Sequence, residues 1–180
     1  MYVWIACDLS ESLSRIREEC IALNKTVGAS EIAFDLPQHI SLKISFELNE
    51  ESVANAILQI KEYLVNTPSF YVGRPYAEFS GNIIWLRFPD SEQLCRMHEE
   101  LDEMLLDRYG VPLHSFDKCF AFHSTLFIDA DKEKLVSLYR RINEITLPDS
   151  IKIDSFIIGV SESGKAGEYR VVDIIPAKSK

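Results

Sequence analysis

Two short segments of the sequence carry the same pattern of polar residues, HISL at 39–42 and HSTL at 123–126. Each places a histidine two residues before a hydroxyl side chain, His39 before Ser41 and His123 before Thr125. In a β-strand, side chains two residues apart point to the same face, so each histidine would share a face with its hydroxyl. Two such pairs across one cleft could move protons with the imidazoles and hold oxyanions with the hydroxyls. That combination suits phosphodiester chemistry without a metal ion.

The residues around the first motif alternate between polar and apolar over positions 39–46. The alternation predicts a strand with Lys43 on the same face as His39 and Ser41. There the ammonium group of Lys43 could bind substrate by neutralising phosphate charge. A lysine solvated at the end of a strand is an equally good interpretation.

The elements that must position these residues follow from apolar spacing. We predict helices at 11–25, 51–65, 91–108 and 131–145, and strands at 2–8, 39–46, 69–79, 82–88, 119–128, 151–160 and 168–175. Helix starts are predicted at Asp8 with Glu11, at Asn49, and at Asp90 with Gln93, and helix ends at Gly28 and Gly110.

The order of these elements, βαβαβ followed by βαβαββ, predicts a duplication with approximate repeats at 1–80 and 81–180. Corresponding residues recur at similar offsets: Trp4 and Trp85, His39 and His123, Asn49 and Asp131. Two similar lobes would bring equivalent strands together, with one histidine from each. We therefore expect one bilobal domain over 1–180 of the α+β class, with antiparallel-rich sheets lining a central cleft and helices outside. Two structural histidines are the alternative, but their equivalent placement favours a functional role.

Composition limits the class of protein. Hydrophobic residues make up 47% of the 180 positions, and Gly and Pro are few, which is typical of a compact globular chain. No apolar stretch approaches the ~20 residues of a membrane span, and the N-terminus does not resemble a signal peptide. The four cysteines show no CxxC spacing, so we interpret them as buried thiols of a reduced protein and expect a cytoplasmic location.

The net charge of −9 argues against binding to extended nucleic acid, because such binding depends on Lys and Arg that neutralise many phosphates. The expected ligand is a nucleotide or a short RNA end. No cluster of metal-ligand residues and no Gly-rich phosphate loop occurs, so we predict no metal and no cofactor. We expect a monomer.

The chain resembles the two-histidine phosphoesterase superfamily, which includes bacterial 2′-5′ RNA ligases, also called RNA 2′,3′-cyclic phosphodiesterases. Its signature is a pair of His-x-Ser/Thr-x motifs separated by about half the chain, here 39–42 and 123–126. Two positions depart from that pattern. Gln38 stands where a proline often precedes the first histidine, and Ser124 stands at a position that is usually apolar.

The resemblance implies metal-independent hydrolysis of a 2′,3′-cyclic phosphate to a 2′-phosphomonoester, with possible reversal as 2′-5′ ligation. His39 and His123 would act as general base and general acid, in an order that the sequence does not assign. Ser41 and Thr125 would bind the non-bridging phosphate oxygens. Histidine suits both proton transfers near neutral pH.

Two alternatives remain open at this stage. One is a non-catalytic module of the same fold that binds a nucleotide or an RNA end. The other is a phosphoesterase that acts on a small metabolite, such as an ADP-ribose cyclic phosphate.

Overall fold

The computed structural model describes residues 1–89 and 91–179. Within them, four α-helices lie at α1 (Ser14–Val27), α2 (Glu50–Asn66), α3 (Glu92–Tyr109) and α4 (Lys132–Ile142). Nine strands lie at β1 (Tyr2–Asp8), β2 (His39–Glu47), β3 (Phe70–Gly73), β4 (Tyr76–Ser80), β5 (Ile83–Arg87), β6 (His123–Ile128), β7 (Ser150–Ile153), β8 (Ser155–Ser161) and β9 (Arg170–Pro176).

The strands form three antiparallel groups. One sheet has the order β2-β1-β8-β9, a second has the order β4-β5-β6, and β3 pairs with β7. Strands β2 and β6, which begin with the two motif histidines, lie next to each other. The predicted α+β class with antiparallel sheets is confirmed.

Both sheets combine strands from the two predicted repeats. The order β1-α1-β2-α2-β3-β4 recurs as β5-α3-β6-α4-β7-β8, with β9 added at the end. Strand β4 pairs with β5 of the second repeat, and β8 pairs with β1 of the first. The predicted boundary at 80/81 falls in the β4–β5 hairpin, where Gly81 has φ 63°. Each of these two sheets therefore contains strands from both halves of the chain.

Several helix ends lie where the sequence places them. The Asn49 side chain accepts a hydrogen bond from the Ser52 N–H at the start of α2. Gly28 and Gly110 end α1 and α3 with φ of 71° and 66°, a left-handed conformation that favours glycine. These residues therefore set the lengths of the helices through local geometry alone.

Two predicted helix starts have a different outcome. The carboxylate of Asp8 accepts hydrogen bonds from Ser10 instead of capping a helix, and α1 begins only at Ser14. Asp90 lies outside the described residues. The cap of α3 is Ser91, whose Oγ accepts from the Leu94 N–H.

Three predicted strands are shorter than expected. The segment 69–79 is divided into β3 and β4 around Pro75, which has no N–H to donate to a ladder. The segment 151–160 is divided into β7 and β8 at Asp154. The segment 119–128 is a strand only from His123, because Asp117–Cys119 forms a 3₁₀ turn.

Strand β2 is irregular, and this changes which side chains face the cleft. Val3 pairs with Phe46 and Ala6 pairs with Ser41, so three steps along β1 correspond to five along β2. One extra residue falls between the partners of Val3 and Ile5 and another between those of Ile5 and Ala6, and this double bulge interrupts the alternation of side chains. As a result, Leu42 and Lys43 are both buried although they are consecutive.

The helices pack against the sheets through a continuous apolar core. Cys7 and Cys20 are buried in it, as predicted, whereas Cys119 is exposed and the prediction is wrong there. Within the described part of the chain, no helix is long and apolar enough to cross a membrane.

Candidate active site

The two motif histidines occupy equivalent positions at the first residues of β2 and β6, and both are half-buried. The ring Nδ1 of His39 lies 2.7 Å from the carbonyl oxygen of Pro37, and that of His123 lies 2.6 Å from the carbonyl oxygen of Ala121. Because a carbonyl can only accept a hydrogen bond, Nδ1 carries the proton in each ring. The neutral imidazole therefore keeps a lone pair on Nε2.

Each histidine packs against a tryptophan from the neighbouring strand. The ring centroids of Trp4 and His39 are 4.4 Å apart, and those of Trp85 and His123 are 4.3 Å apart. The tryptophans pack against the imidazoles and restrict the orientation of both rings.

The hydroxyl residues of the motifs lie beside the histidines. The Oγ of Ser41 accepts a 3.2 Å hydrogen bond from Nε1 of Trp4. Thr125 is half-buried and pairs in register with Trp85 on β5. Ser41 is therefore hydrogen-bonded to the tryptophan that packs on its histidine, whereas Thr125 is related to Trp85 by strand pairing and the Trp85 Nε1–H has no hydrogen-bond partner.

A buried polar contact joins the two motif strands. Ser124 Oγ donates to Oε1 of Gln38 at 2.7 Å, and Nε2 of Gln38 donates to the backbone carbonyl of Thr125 at 3.3 Å. Gln38 precedes His39 directly, so this contact fixes the start of β2 against the middle of the second motif. Sequence reasoning noted both positions as departures but did not pair them.

Two of the four motif residues, Ser41 and His123, line a cleft of about 620 Å³. His39 packs against Trp4, which lines the cleft, but neither His39 nor Thr125 is itself a lining residue. Most of the remaining lining is aromatic or aliphatic, including Trp4, Leu36, Trp85, Phe116, Phe120 and Tyr169. The cleft thus has a small polar end with the motif residues and a larger apolar wall.

Burial lowers the pKa of both histidines. The pKa of His39 falls from 6.5 to about 4, mainly because burial penalises the charged ring, and the nearby His123 lowers it further. The hydrogen bond to Pro37 acts in the opposite direction. For His123, burial again lowers the pKa, and the carbonyl of Ala121 opposes it. Both rings are therefore neutral at pH 7 in the free protein.

An arginine and a carboxylate shift the pKa of each histidine in opposite directions. Arg17 lowers and Asp8 raises the pKa of His39, while Arg87 lowers and Glu78 raises that of His123. The guanidinium of Arg87 also lies 5.9 Å from the ring centroid of Trp85. Neither arginine was predicted, because each lies on an element distant in sequence from the motif that it influences.

The structure places Lys43 away from the motif face. The bulge in β2 turns its side chain into the interior, where the residue is 2% exposed. Its ammonium lies 2.7 Å from a carboxylate oxygen of Asp102 and also pairs with Asp117. In this position Lys43 neutralises buried carboxylates, and the alternation of the sequence gave no sign of the bulge.

One group of residues within the described ranges has donor atoms close enough for a metal ion: His98, Asp102 and Asp117. The ammonium of Lys43 already lies against both carboxylates. The ring nitrogens of His98 contact backbone carbonyls, at 2.8 Å for Leu42 and 3.2 Å for Asp117. The ammonium of Lys43 occupies the position between the two carboxylates that a cation would take, although Oδ1 of Asp117 is left buried without a hydrogen-bond partner.

The sequence matches no model of a known protein family and no curated protein. Its structure is similar to that of a phosphoesterase, with 20% identity, 98% of each chain covered and a TM-score of 0.65. It is also similar to a protein of Thermus thermophilus, with 17% identity, 100% of each chain covered and a TM-score of 0.63. For E. coli LigT complexed with 3′-AMP, the identity is 18%, the coverage 98% of this chain and 97% of that chain, and the TM-score 0.59.

The chain therefore has the fold of LigT and of the other two structures over nearly its whole length. The resemblance predicted from the two short motifs is confirmed in the fold. At this level of identity, the chemistry has to be argued from the residues of the cleft.

Proposed function

We propose that the chain is a two-histidine phosphoesterase that opens a 2′,3′-cyclic phosphate, on a nucleotide or a short RNA end, to a 2′-phosphomonoester without a metal ion. One observation carries this proposal. His39 and His123 begin adjacent strands, and each has its Nδ1–H bound to a carbonyl two residues earlier. Each ring therefore keeps Nε2 for proton transfer.

The reaction needs one proton taken and one proton given. A water attacks phosphorus while one imidazole accepts its proton at Nε2, and the P–O3′ bond breaks as the other imidazole donates a proton to the 3′-oxygen. Both carbonyl contacts stabilise an imidazolium, since Nδ1–H remains the donor in either protonation state. The negative charge of a bound phosphate would raise the lowered pKa of the ring that serves as acid.

The hydroxyls are suited to hold the phosphate during this step. Because Ser41 Oγ accepts from Trp4, its own O–H is directed elsewhere and can donate to a non-bridging oxygen. Thr125 has the equivalent place on β6. Hydrogen bonds of this kind favour the charge that develops in the transition state.

A nucleotide ligand has further support. E. coli LigT, which shares this fold, has been crystallised with 3′-AMP, with NADP⁺ and with ATP. The net charge of −9 argues against binding of extended RNA, so the proposed ligand is a nucleotide or the end of a short RNA. Ligation to a 2′-5′ linkage is the reverse reaction, with the roles of the two histidines exchanged.

The test measures release of a 2′-monophosphate end from a short RNA that carries a 2′,3′-cyclic phosphate, with EDTA present. Wild type is compared with His39→Asn and His123→Asn, and urea denaturation verifies that each variant is folded. We expect EDTA-resistant turnover that falls by about 10²- to 10⁴-fold in each variant.

Other outcomes contradict parts of the proposal. Turnover that is insensitive to both substitutions would remove the site assignment. A folded wild type that binds the RNA end without turnover would indicate a binding module. Turnover of an ADP-ribose cyclic phosphate but not of the RNA would indicate a small-metabolite phosphoesterase.

A further inference from the structure

A large apolar side chain stands in solvent at the mouth of the cleft. Phe116 is 69% exposed and lies in the segment between α3 and β6 that lines one wall. Exposed apolar residues are common, and exposure alone assigns no role. The backbone that carries Phe116, however, is held by buried groups.

The next residue, Asp117, anchors this segment. Its side chain is 2% exposed and is paired with the ammonium of Lys43. The same carboxylate accepts a 2.6 Å hydrogen bond from the His114 N–H, and the Phe116 N–H donates to Nδ1 of His114 at 3.2 Å. The imidazole of His114 also packs against the Phe116 ring, with centroids 5.1 Å apart. The backbone that carries Phe116 is therefore held at the cleft, and the ring itself packs against the imidazole of His114.

The cleft behind Phe116 offers an anion site at one end and apolar surface elsewhere. Its polar side-chain lining includes Ser41, Ser45 and His123, and Tyr169 also lines it. No Lys or Arg lines this cleft, all of whose lining residues belong to the described ranges. A ligand that fits has one phosphate at the histidine end and a flat apolar group next to it.

We propose that Phe116 is the platform on which the nucleobase of the reacting nucleoside stacks. The substrate is then a nucleoside 2′,3′-cyclic phosphate recognised through its base, and any further phosphates remain outside the cleft. This assignment rests on the proposed function for the phosphate end. Of the other aromatic residues that line the cleft, Trp4 and Trp85 pack against the two motif histidines, Phe120 stacks on His98, and Tyr169 is half-buried, so Phe116 is the most exposed ring. Stacking of a base on an aromatic side chain tolerates every base.

The experiment compares two substrates that differ only in the base, adenosine 2′,3′-cyclic phosphate and methyl riboside 2′,3′-cyclic phosphate. We expect Phe116→Ala to raise KM for the adenosine substrate by about 5- to 100-fold, with kcat little changed. The riboside kinetics should stay within about twofold of wild type, since the phosphate end is intact. Phe116→Tyr should behave like wild type.

The matched control is Tyr71→Ala, since Tyr71 on β3 is 67% exposed and does not line the cleft. It should alter the kinetics of neither substrate. An equal loss for both substrates in Phe116→Ala, or no loss for either, overturns the platform.

A second measurement separates failure of the proposed catalytic function from failure of the Phe116 assignment. If wild type cleaves neither substrate, calorimetric titration with adenosine 2′-monophosphate decides the assignment of Phe116. Weaker binding in Phe116→Ala than in Tyr71→Ala supports the platform. Equal affinity in the two variants, or no binding to wild type, overturns it.

Discussion

The hydroxyl of Ser124 donates a 2.7 Å hydrogen bond to Oε1 of Gln38, and this contact joins the two strands that carry the histidines. Both residues are buried, at 1% and 3% exposed. Each is also a departure from the motif pattern of the family that the chain resembles. The two departures are hydrogen-bond partners, so each accounts for the presence of the other in an apolar interior.

We predict that Ser124→Ala destabilises the protein by about 1–3 kcal/mol, because it leaves the amide oxygen of Gln38 buried without its partner. The double variant Gln38→Leu/Ser124→Ala should lose less than the sum of the two single variants, since no unpaired polar group then remains at that contact. Urea denaturation at pH 7 measures all three.

Ser80→Ala is the control for this pair, because Ser80 lies in strand β4 and is exposed. We expect it to change the free energy of unfolding by less than about 0.5 kcal/mol. If Ser124→Ala is no worse than Ser80→Ala, the contact does not contribute to stability.

Local signals in the sequence were sufficient for part of the fold. Asn49 caps α2, and Gly28 and Gly110 end α1 and α3, at the positions that the sequence predicts. Such features depend on a residue and its near neighbours, so a single sequence carries them. The motif histidines were equally visible, because a strand places them and their hydroxyls on one face.

Features that depend on distant partners were not visible. The bulge in β2 is a change of register along its pairing with β1, and it therefore depends on residues of another strand. It turns Lys43 inward to meet Asp102 and Asp117, which are far away in sequence. The role that we propose for Phe116 likewise depends on Asp117 being anchored, which no pattern around position 116 reveals.

The lowered pKa of His39 predicts a pH-dependent stability. The unfolded chain has an ordinary histidine pKa of about 6.5, and the folded value is about 4. Between these values the unfolded state binds a proton that the folded state excludes, so stability is lost as the pH falls from 6.5 towards 4. We expect His39 to account for about 2 kcal/mol of lost stability between pH 7 and pH 5. Urea denaturation at the two pH values measures this loss.

The variant His39→Gln isolates this contribution, because glutamine does not titrate. Its free energy of unfolding should fall by about 2 kcal/mol less than that of wild type over the same pH interval. An unchanged loss in the variant would mean that His39 is not held in its neutral form by burial. The imidazole resonances of wild type, followed by NMR through the acid range, give the folded pKa independently.

Lys43→Met tests the buried ion cluster. The substitution leaves Asp102 and Asp117 as uncompensated buried carboxylates, so we expect a loss of about 3–5 kcal/mol in thermal or urea denaturation. Adding Asp117→Asn should recover part of the loss, because one of the two charges is removed. The opposite result, full stability with a raised KM for a phosphate substrate, would restore Lys43 to the substrate face that the alternation of the sequence predicts.

Gly159→Ala tests whether Trp4 positions the first motif. Gly159 on β8 lies under the indole, and a Cβ there would stand 2.5 Å from Cε3 of Trp4. The displaced ring should disturb His39 and Ser41 and lower kcat by on the order of 10²-fold, alongside a change in tryptophan fluorescence. Gly73→Ala is the matched control, since its Cβ would stand 2.9 Å from Cγ of Pro89, away from the cleft. Both variants should lose stability, but only Gly159→Ala should lose turnover per folded molecule. Equal kcat in the two variants would show that the Trp4 contact does not control the chemistry.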